Sequence, residues 1–229
     1  MNKRTSISDI YSSSLVINSK ELDRAYKKLD KDQLDYFNSF SNHIITCVNA
    51  ASGSGKTFVA VLAALQAFNQ GEVNKIYYIR IPDDRSLRLG YLPGSSDDKQ
   101  SIYTTPFYNA CTSLGLREED IDIARDNNEI ILCTDIVLRG TNICNSFVII
   151  DEAQNGRLSD LKLILTRISD NCKVALIGHS AQYDNFKGNN EKAFEKYIEH
   201  LTKKSWAIEC KLTKNYRGKL SSWADELYW

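Results

Sequence analysis

The stretch Ile44-Ile45-Thr46-Cys47-Val48-Asn49-Ala50-Ala51-Ser52-Gly53-Ser54-Gly55-Lys56-Thr57 governs the interpretation of this 229-residue chain. Its first five residues are β-branched or apolar and predict a strand. An apolar helix is expected from about Lys56 to Phe68, ending near Gly71. Between them, Ala50 to Thr57 fits G-x-x-x-x-G-K-[ST], with alanine in place of the first glycine. The pattern has a physical basis. Glycines let the backbone curl so that successive N–H groups face one anion, and the helix N-terminus adds its dipole. Ala51, Ser52, Gly53, Ser54 and Gly55 would form this phosphate cradle. The Lys56 ammonium would reach the β- and γ-phosphates, and the Thr57 hydroxyl would ligate Mg2+.

Beyond the cradle, strands are expected at Ile76 to Ile81, Glu129 to Cys133, Phe147 to Asp151, Lys173 to Gly178 and Trp206 to Leu212. Helices are expected over most of Leu22 to Phe40, and at Thr105 to Ser113, Asp160 to Ile168, Glu191 to Thr202 and Ser221 to Leu227. Pro82 to Gln100 reads as a loop rich in Gly, Pro, Ser and Asp. Strands alternating with helices predict an α/β domain of three layers around a largely parallel sheet. Residues 1–18 are expected to be a flexible lead-in, and 19–229 a single domain.

Val148-Ile149-Ile150-Asp151-Glu152 is an apolar strand that ends in two acids. Such acids belong at the C-terminal edge of a sheet, where α/β domains bind ligands. Asp151 would hold Mg2+, and Glu152, alternating to the other side, would orient or deprotonate an attacking water. The pair favours hydrolysis over transfer to a small acceptor.

Composition narrows the classes further. Lys plus Arg and Asp plus Glu number 29 each, so any nucleic-acid surface must be a local patch. The six cysteines, Cys47, Cys111, Cys133, Cys144, Cys172 and Cys210, show no metal-ligand spacing and read as structural thiols. The first 14 residues lack the apolar core of a signal peptide, and no run is long enough to cross a membrane. A reduced, cytoplasmic location is the expectation.

Phe147 to Asn155 resembles the acidic-strand signature of the PhoH-like ATPases, relatives of the superfamily-one helicases. Other segments resemble the family in the same order. Arg80, Pro82 and Leu89-Gly90-Tyr91-Leu92-Pro93-Gly94 look like its arginine-plus-LGFLPG segment, continued by Lys99, Tyr103, Pro106 and Tyr108. Arg139-Gly140, Leu165-Thr166-Arg167-Ile168 with Lys173, and Gly178, Gln182 and Asp184 are similar to later motifs. Gln33 with Tyr36 resembles its upstream glutamine motif. Together these cover roughly residues 30–220. Departures are Ala50 for the first glycine, His179 for an aspartate, and Ile81 between Arg80 and Pro82.

The resemblance implies a single RecA-like domain of the P-loop NTPase fold, using ATP and Mg2+. It implies that Gln33 reads adenine, that Gln182 senses the γ-phosphate, and that Arg167 and Arg217 are candidates for an arginine finger. Relatives supply such groups from a neighbouring subunit, so a homo-oligomer is expected, with a ring as one arrangement. The segment from Arg80 to Tyr108 interleaves Arg85, Arg88 and Lys99 with Tyr91, Tyr103, Phe107 and Tyr108, a pattern suited to gripping a single strand. The partner expected is single-stranded nucleic acid, RNA ahead of DNA, with no membrane. Two other readings stay open: a regulatory ATPase acting on a protein partner, and a small-molecule kinase.

Overall fold

The computed structural model describes residues 15, 17–82, 96–134, 138, 140–181 and 193–225, with 96–102 and 225 described as backbone. Strands β1 (Ile45–Asn49), β2 (Lys75–Arg80), β3 (Ile130–Cys133), β4 (Ser146–Asp151), β5 (Lys173–Gly178) and β6 (Ala207–Cys210) form one sheet in the order β3-β2-β4-β5-β1-β6. Every pairing is parallel, so the expectation of a largely parallel sheet is met in full among the described residues. Parallel strands need crossovers that cover both faces, which is why β4 is buried throughout and reads as a continuous apolar run.

Alternation along each strand divides the core in two. Ile76, Tyr78, Phe147 and Ile149 face one cluster, against α1 (Ser19–Tyr26), α2 (Lys31–Ser39), α3 (Lys56–Asn69), α4 (Ser96–Ser113) and α5 (Glu118–Asp126). Ile79, Val148, Ile150 and Leu176 face the other, against α6 (Leu158–Leu165) and α7 (Ala193–Leu201). A last helix, α8, spans Lys219–Asp225. Helix α3 is apolar nearly all round, as a helix must be when the sheet lies on one side and α1, α2 and α4 cover the others.

Several expectations need correction. The helix expected over Leu22–Phe40 is two helices, divided where Asp30 caps α2: its carboxylate accepts from Gln33 N while Gln33 Oε1 accepts from Asp30 N. The stretch Pro82 to Gln100 is not loop to its end, because α4 begins at Ser96 and runs through Pro106. Helix α5 was unforeseen; its acidic sequence hides a buried stripe of Ile121 and Ala124. Leu15 falls in the expected lead-in, yet it is buried and its N–H donates to Glu129. Phe107 is fully buried against Tyr78, with ring centroids 5.3 Å apart, and so is removed from the aromatics that could stack on bases. Arg85, Arg88 and Tyr91 lie outside the described residues, as does the side chain of Lys99.

Candidate functional site

The turn after β1 places the cradle at the C-terminal edge of the sheet. Gly53 and Gly55 have φ of +82° and +83°, the left-handed region where a side chain is strained. Space forbids side chains as well: a Cβ on Gly53 would lie 2.8 Å from Asn215 Oδ1, and one on Gly55 2.7 Å from Gln33 Nε2. Ala50 is a different case. It is buried, its N–H bonds Gly178 O at 3.1 Å, and it is absent from the left-handed residues, so alanine fits there without strain. Gly55 caps α3 with no side-chain hydrogen bond, which leaves the first-turn N–H groups for an anion. Ser54 Oγ is buried beneath the turn without a hydrogen-bond partner.

The acidic strand meets the cradle as expected. β5 lies between β1 and β4, setting the two strand ends about 10 Å apart. Thr57 reaches across from α3, its Oγ1 3.4 Å from Asp151 Oδ2. Asp151 also accepts from the Tyr78 hydroxyl at 2.6 Å and from Glu152 N at 2.9 Å. Burial pushes the Asp151 carboxyl above its ordinary range, and the negative charge of Glu152 adds to the rise. The Tyr78 hydrogen bond and the charges of Arg80 and Lys56 work against it. Thr57 and Asp151 thus offer two hard oxygen donors at one point, a donor set that fits Mg2+. The Lys56 ammonium spans the cradle to Ala51 O at 3.3 Å.

Glu152 does not continue the strand to its other side. It sits in the left-handed region at φ 56°, where the chain turns sharply into a short 3-10 helix, Ala153–Asn155. Its carboxylate is held by Gln154 Nε2 at 2.6 Å and faces Arg80 Nη2 at 3.6 Å. Gln154 Oε1 in turn accepts from His179 N at 3.0 Å, tying the end of β4 to that of β5. A left-handed backbone costs a non-glycine residue about 1–2 kcal/mol, so these contacts must hold Glu152 in place.

The segment Asn215-Tyr216-Arg217 clasps the cradle from outside. Asn215 Nδ2 donates to Ser52 O at 3.1 Å, Tyr216 N to Gly53 O at 2.8 Å, and Arg217 Nη1 to Ser52 Oγ at 2.7 Å. The Tyr216 hydroxyl donates to Asp30, holding that carboxyl below its usual range, while burial and this same bond push the Tyr216 phenol up to about 12. Among expected site residues, Arg217 is therefore brought to the cradle of its own chain. Arg167 is not. Its carbonyl accepts from Ile143 N, ahead of β4, at the opposite edge of the sheet. Gln182, Asp184 and Arg139 lie outside the described residues. Sequence reasoning gave no role to Asn215, Tyr216, Tyr78 or Gln154: the first three reach partners far along the chain, and Gln154, though only two residues from Glu152, also bridges to His179 at the end of β5; of this group only Arg217, a finger candidate by the resemblance, drew attention.

Beside Gly55 a cavity of about 560 Å3 opens, lined by Glu21, Arg24, Lys28, Gln33, Phe58 and Tyr216 among others. Its size lies within the range of small-molecule sites. No described helix is long and apolar enough to cross a membrane.

Comparison with known proteins agrees with this geometry. The chain is 31% identical over 152 residues to a PhoH-like protein of Synechocystis sp., a match covering 66% of this chain and 46% of that protein. It thus spans about half the length of the curated relatives it matches. In fold it is similar to the UvsW helicase of bacteriophage T4, with a TM-score of 0.51, 12% identity, and coverage of 85% of this chain and 68% of that one. It is similar also to the large terminase of a thermophilic bacteriophage, solved with ADP, with a TM-score of 0.50, 14% identity, and coverage of 80% and 45%. These likenesses identify the RecA-like P-loop fold. The model of the family described as PhoH-like protein matches residues 26–228, nearly the whole chain, and so the chain belongs to the PhoH-like family of P-loop proteins.

Proposed function

We propose that this chain is a Mg-dependent ATP hydrolase coupled to single-stranded nucleic acid, RNA ahead of DNA, in the manner of a small helicase-like motor. The observation that carries the reading is the meeting of Thr57 with Asp151 at the mouth of an uncapped, glycine-turned helix N-terminus. Bound Mg2+ would be held by the Thr57 hydroxyl and Asp151 carboxylate and would neutralise phosphate charge. Lys56 and the cradle N–H groups would bind the phosphates, joined by Arg217, whose guanidinium already donates to Ser52 of the cradle. Glu152, fixed by Gln154 and Arg80, would orient the attacking water and accept its proton. Gln182 would sense the γ-phosphate, as the family resemblance implies.

Translocation needs two nucleic-acid grips that move relative to one another, and a homo-oligomer, with a ring the arrangement proposed, would supply the second from another copy. Arg167 sits at the far edge of its own sheet and could act as a finger only on another copy. The test is phosphate release with and without single-stranded RNA and DNA, beside Lys56→Ala and Glu152→Gln. Stimulation by a single strand, abolished in both variants, is expected; hydrolysis undiminished by both changes would sink the proposal.

One observation favours a second reading, a regulatory ATPase that acts on a protein partner. Helix α8 exposes Leu220 and Trp223, at 81% and 66%, and its Ser221 hydroxyl accepts from the same Asn215 amide that holds Ser52. Hydrolysis indifferent to nucleic acid at low salt would turn the balance toward it.

A further inference from the structure

The cavity beside Gly55 carries a charge pattern at odds with an adenine-reading glutamine. Gln33 is only 6% exposed, and both ends of its amide are engaged. Its Oε1 accepts from Asp30 N at 3.3 Å, and its Nε2 donates to Ser54 O at 3.3 Å. Exchanging the two ends would set N–H against N–H and oxygen against oxygen, so the neighbours fix this orientation. Gln33 is thereby a strut between the start of α2 and the cradle, with little surface left to offer a base.

The charged groups that line the cavity stand on α1 and just beyond it. Glu21 is half-buried and Arg24 exposed, 4.0 Å apart, and Lys28 completes the set. Phe58 and Tyr216 give the same cavity an apolar wall against which either purine can lie. We infer that base selection rests on Glu21, Arg24 and Lys28 rather than on Gln33, and that the site accepts guanine nucleotides alongside adenine nucleotides. Guanine presents carbonyl and ring-nitrogen acceptors together with an amino donor. A cation complements the acceptors and a carboxylate the donor. Adenine offers an amino donor and ring acceptors, and the same two charges serve it, but without a second carbonyl contact. An amide reader would separate the two bases sharply, because one of its ends would face a like group in the wrong base. Partly exposed charges of both signs do not.

The inference rests on the proposed nucleotide site, and the experiment separates the two. Titration calorimetry of the full chain with Mg2+ and ATP, GTP or ITP is expected to give GTP a dissociation constant within about fivefold of that for ATP, the scale of one exposed hydrogen bond. Glu21→Gln, checked for an unchanged thermal midpoint, should weaken GTP more than ITP, which lacks the amino group. ATP bound with GTP weaker by more than about fivefold overturns the inference and leaves the nucleotide site standing. So does a Glu21→Gln change that weakens GTP and ITP alike. Failure of every triphosphate to bind removes the nucleotide site itself.

Discussion

Replacing Tyr78 with phenylalanine removes one hydroxyl and nothing else. The ring keeps its packing on Phe107, 5.3 Å between centroids, while Asp151 loses a donor at 2.6 Å and the half-buried Arg80, which has other anionic neighbours, loses an acceptor. Tyr78 is 1% exposed and Asp151 2%, so water cannot substitute. A hydrogen bond to an ionised group contributes about 1.5–3 kcal/mol. Asp151 keeps the N–H of Glu152 at 2.9 Å and a long contact to Thr57 at 3.4 Å. The loss should therefore fall toward the lower end, about 2 kcal/mol near pH 8. Its pH dependence has a definite sign. Burial raises the folded pKa of Asp151 above the ordinary value of 3.8, so this group favours the fold most below that value, and its contribution is lost as pH rises through the folded pKa. The Tyr78 bond opposes the rise, and the variant carries a still higher Asp151 pKa. The stability gap between the two proteins should accordingly shrink as acid neutralises the carboxyl in both. Urea unfolding of the nucleotide-free proteins near pH 8, and at the lowest pH where the fold persists, measures it. A gap below about 0.5 kcal/mol near pH 8, or one that does not narrow in acid, contradicts this account of Asp151.

Three further outcomes are expected. At Glu152, glycine should give a fold more stable than alanine by about 1 kcal/mol, because φ is 56° there, while both variants lose hydrolysis; paired denaturant curves decide it. Gly55→Ala should destabilise the fold by about 1–2 kcal/mol through left-handed strain alone, and it should also weaken nucleotide binding, since its Cβ would press on Gln33 Nε2 at 2.7 Å. Unchanged calorimetric affinity would count against this. Among the thiols, exposed Cys144 should react first with an aromatic disulfide reagent, whereas Cys47, whose thiol burial pushes up to about 12, and Cys111, raised by the same cause, should stay unreactive until unfolding. Timed mass spectrometry of the native protein would show the order.

The legibility of this fold follows from where its instructions are local. Ile45 to Thr57 could be read directly, because an apolar strand, two obligatory glycines and an apolar helix follow one another in sequence. The buried run Ser146 to Asp151 was equally plain, as a central parallel strand has no polar face. Helix α5 was not, since Glu118, Glu119, Asp120 and Asp122 suggest a solvated segment and mask the two residues that anchor it. The start of α4 was hidden by polar residues and by Pro106, which sits inside the helix nonetheless. At the site, Thr57 and Asp151 were legible through their motifs, and the structure brings them together. The clasp from Asn215 to Arg217 depends on contacts with residues more than 160 positions earlier, which no periodicity records.

The placement of β5 between β1 and β4 has a consequence for how the protein comes to be made. A chain emerging from the ribosome has both phosphate-binding and acidic motifs by residue 152, but they lack the strand that spaces them until residues 173–178 have been added and threaded into the sheet. Nucleotide affinity should therefore be all-or-none during synthesis: truncations that stop short of Lys173 carry both motifs yet bind no triphosphate. In the finished protein, ligand at about a hundred times its dissociation constant would add about 2.7 kcal/mol against unfolding of the whole sheet rather than of one half.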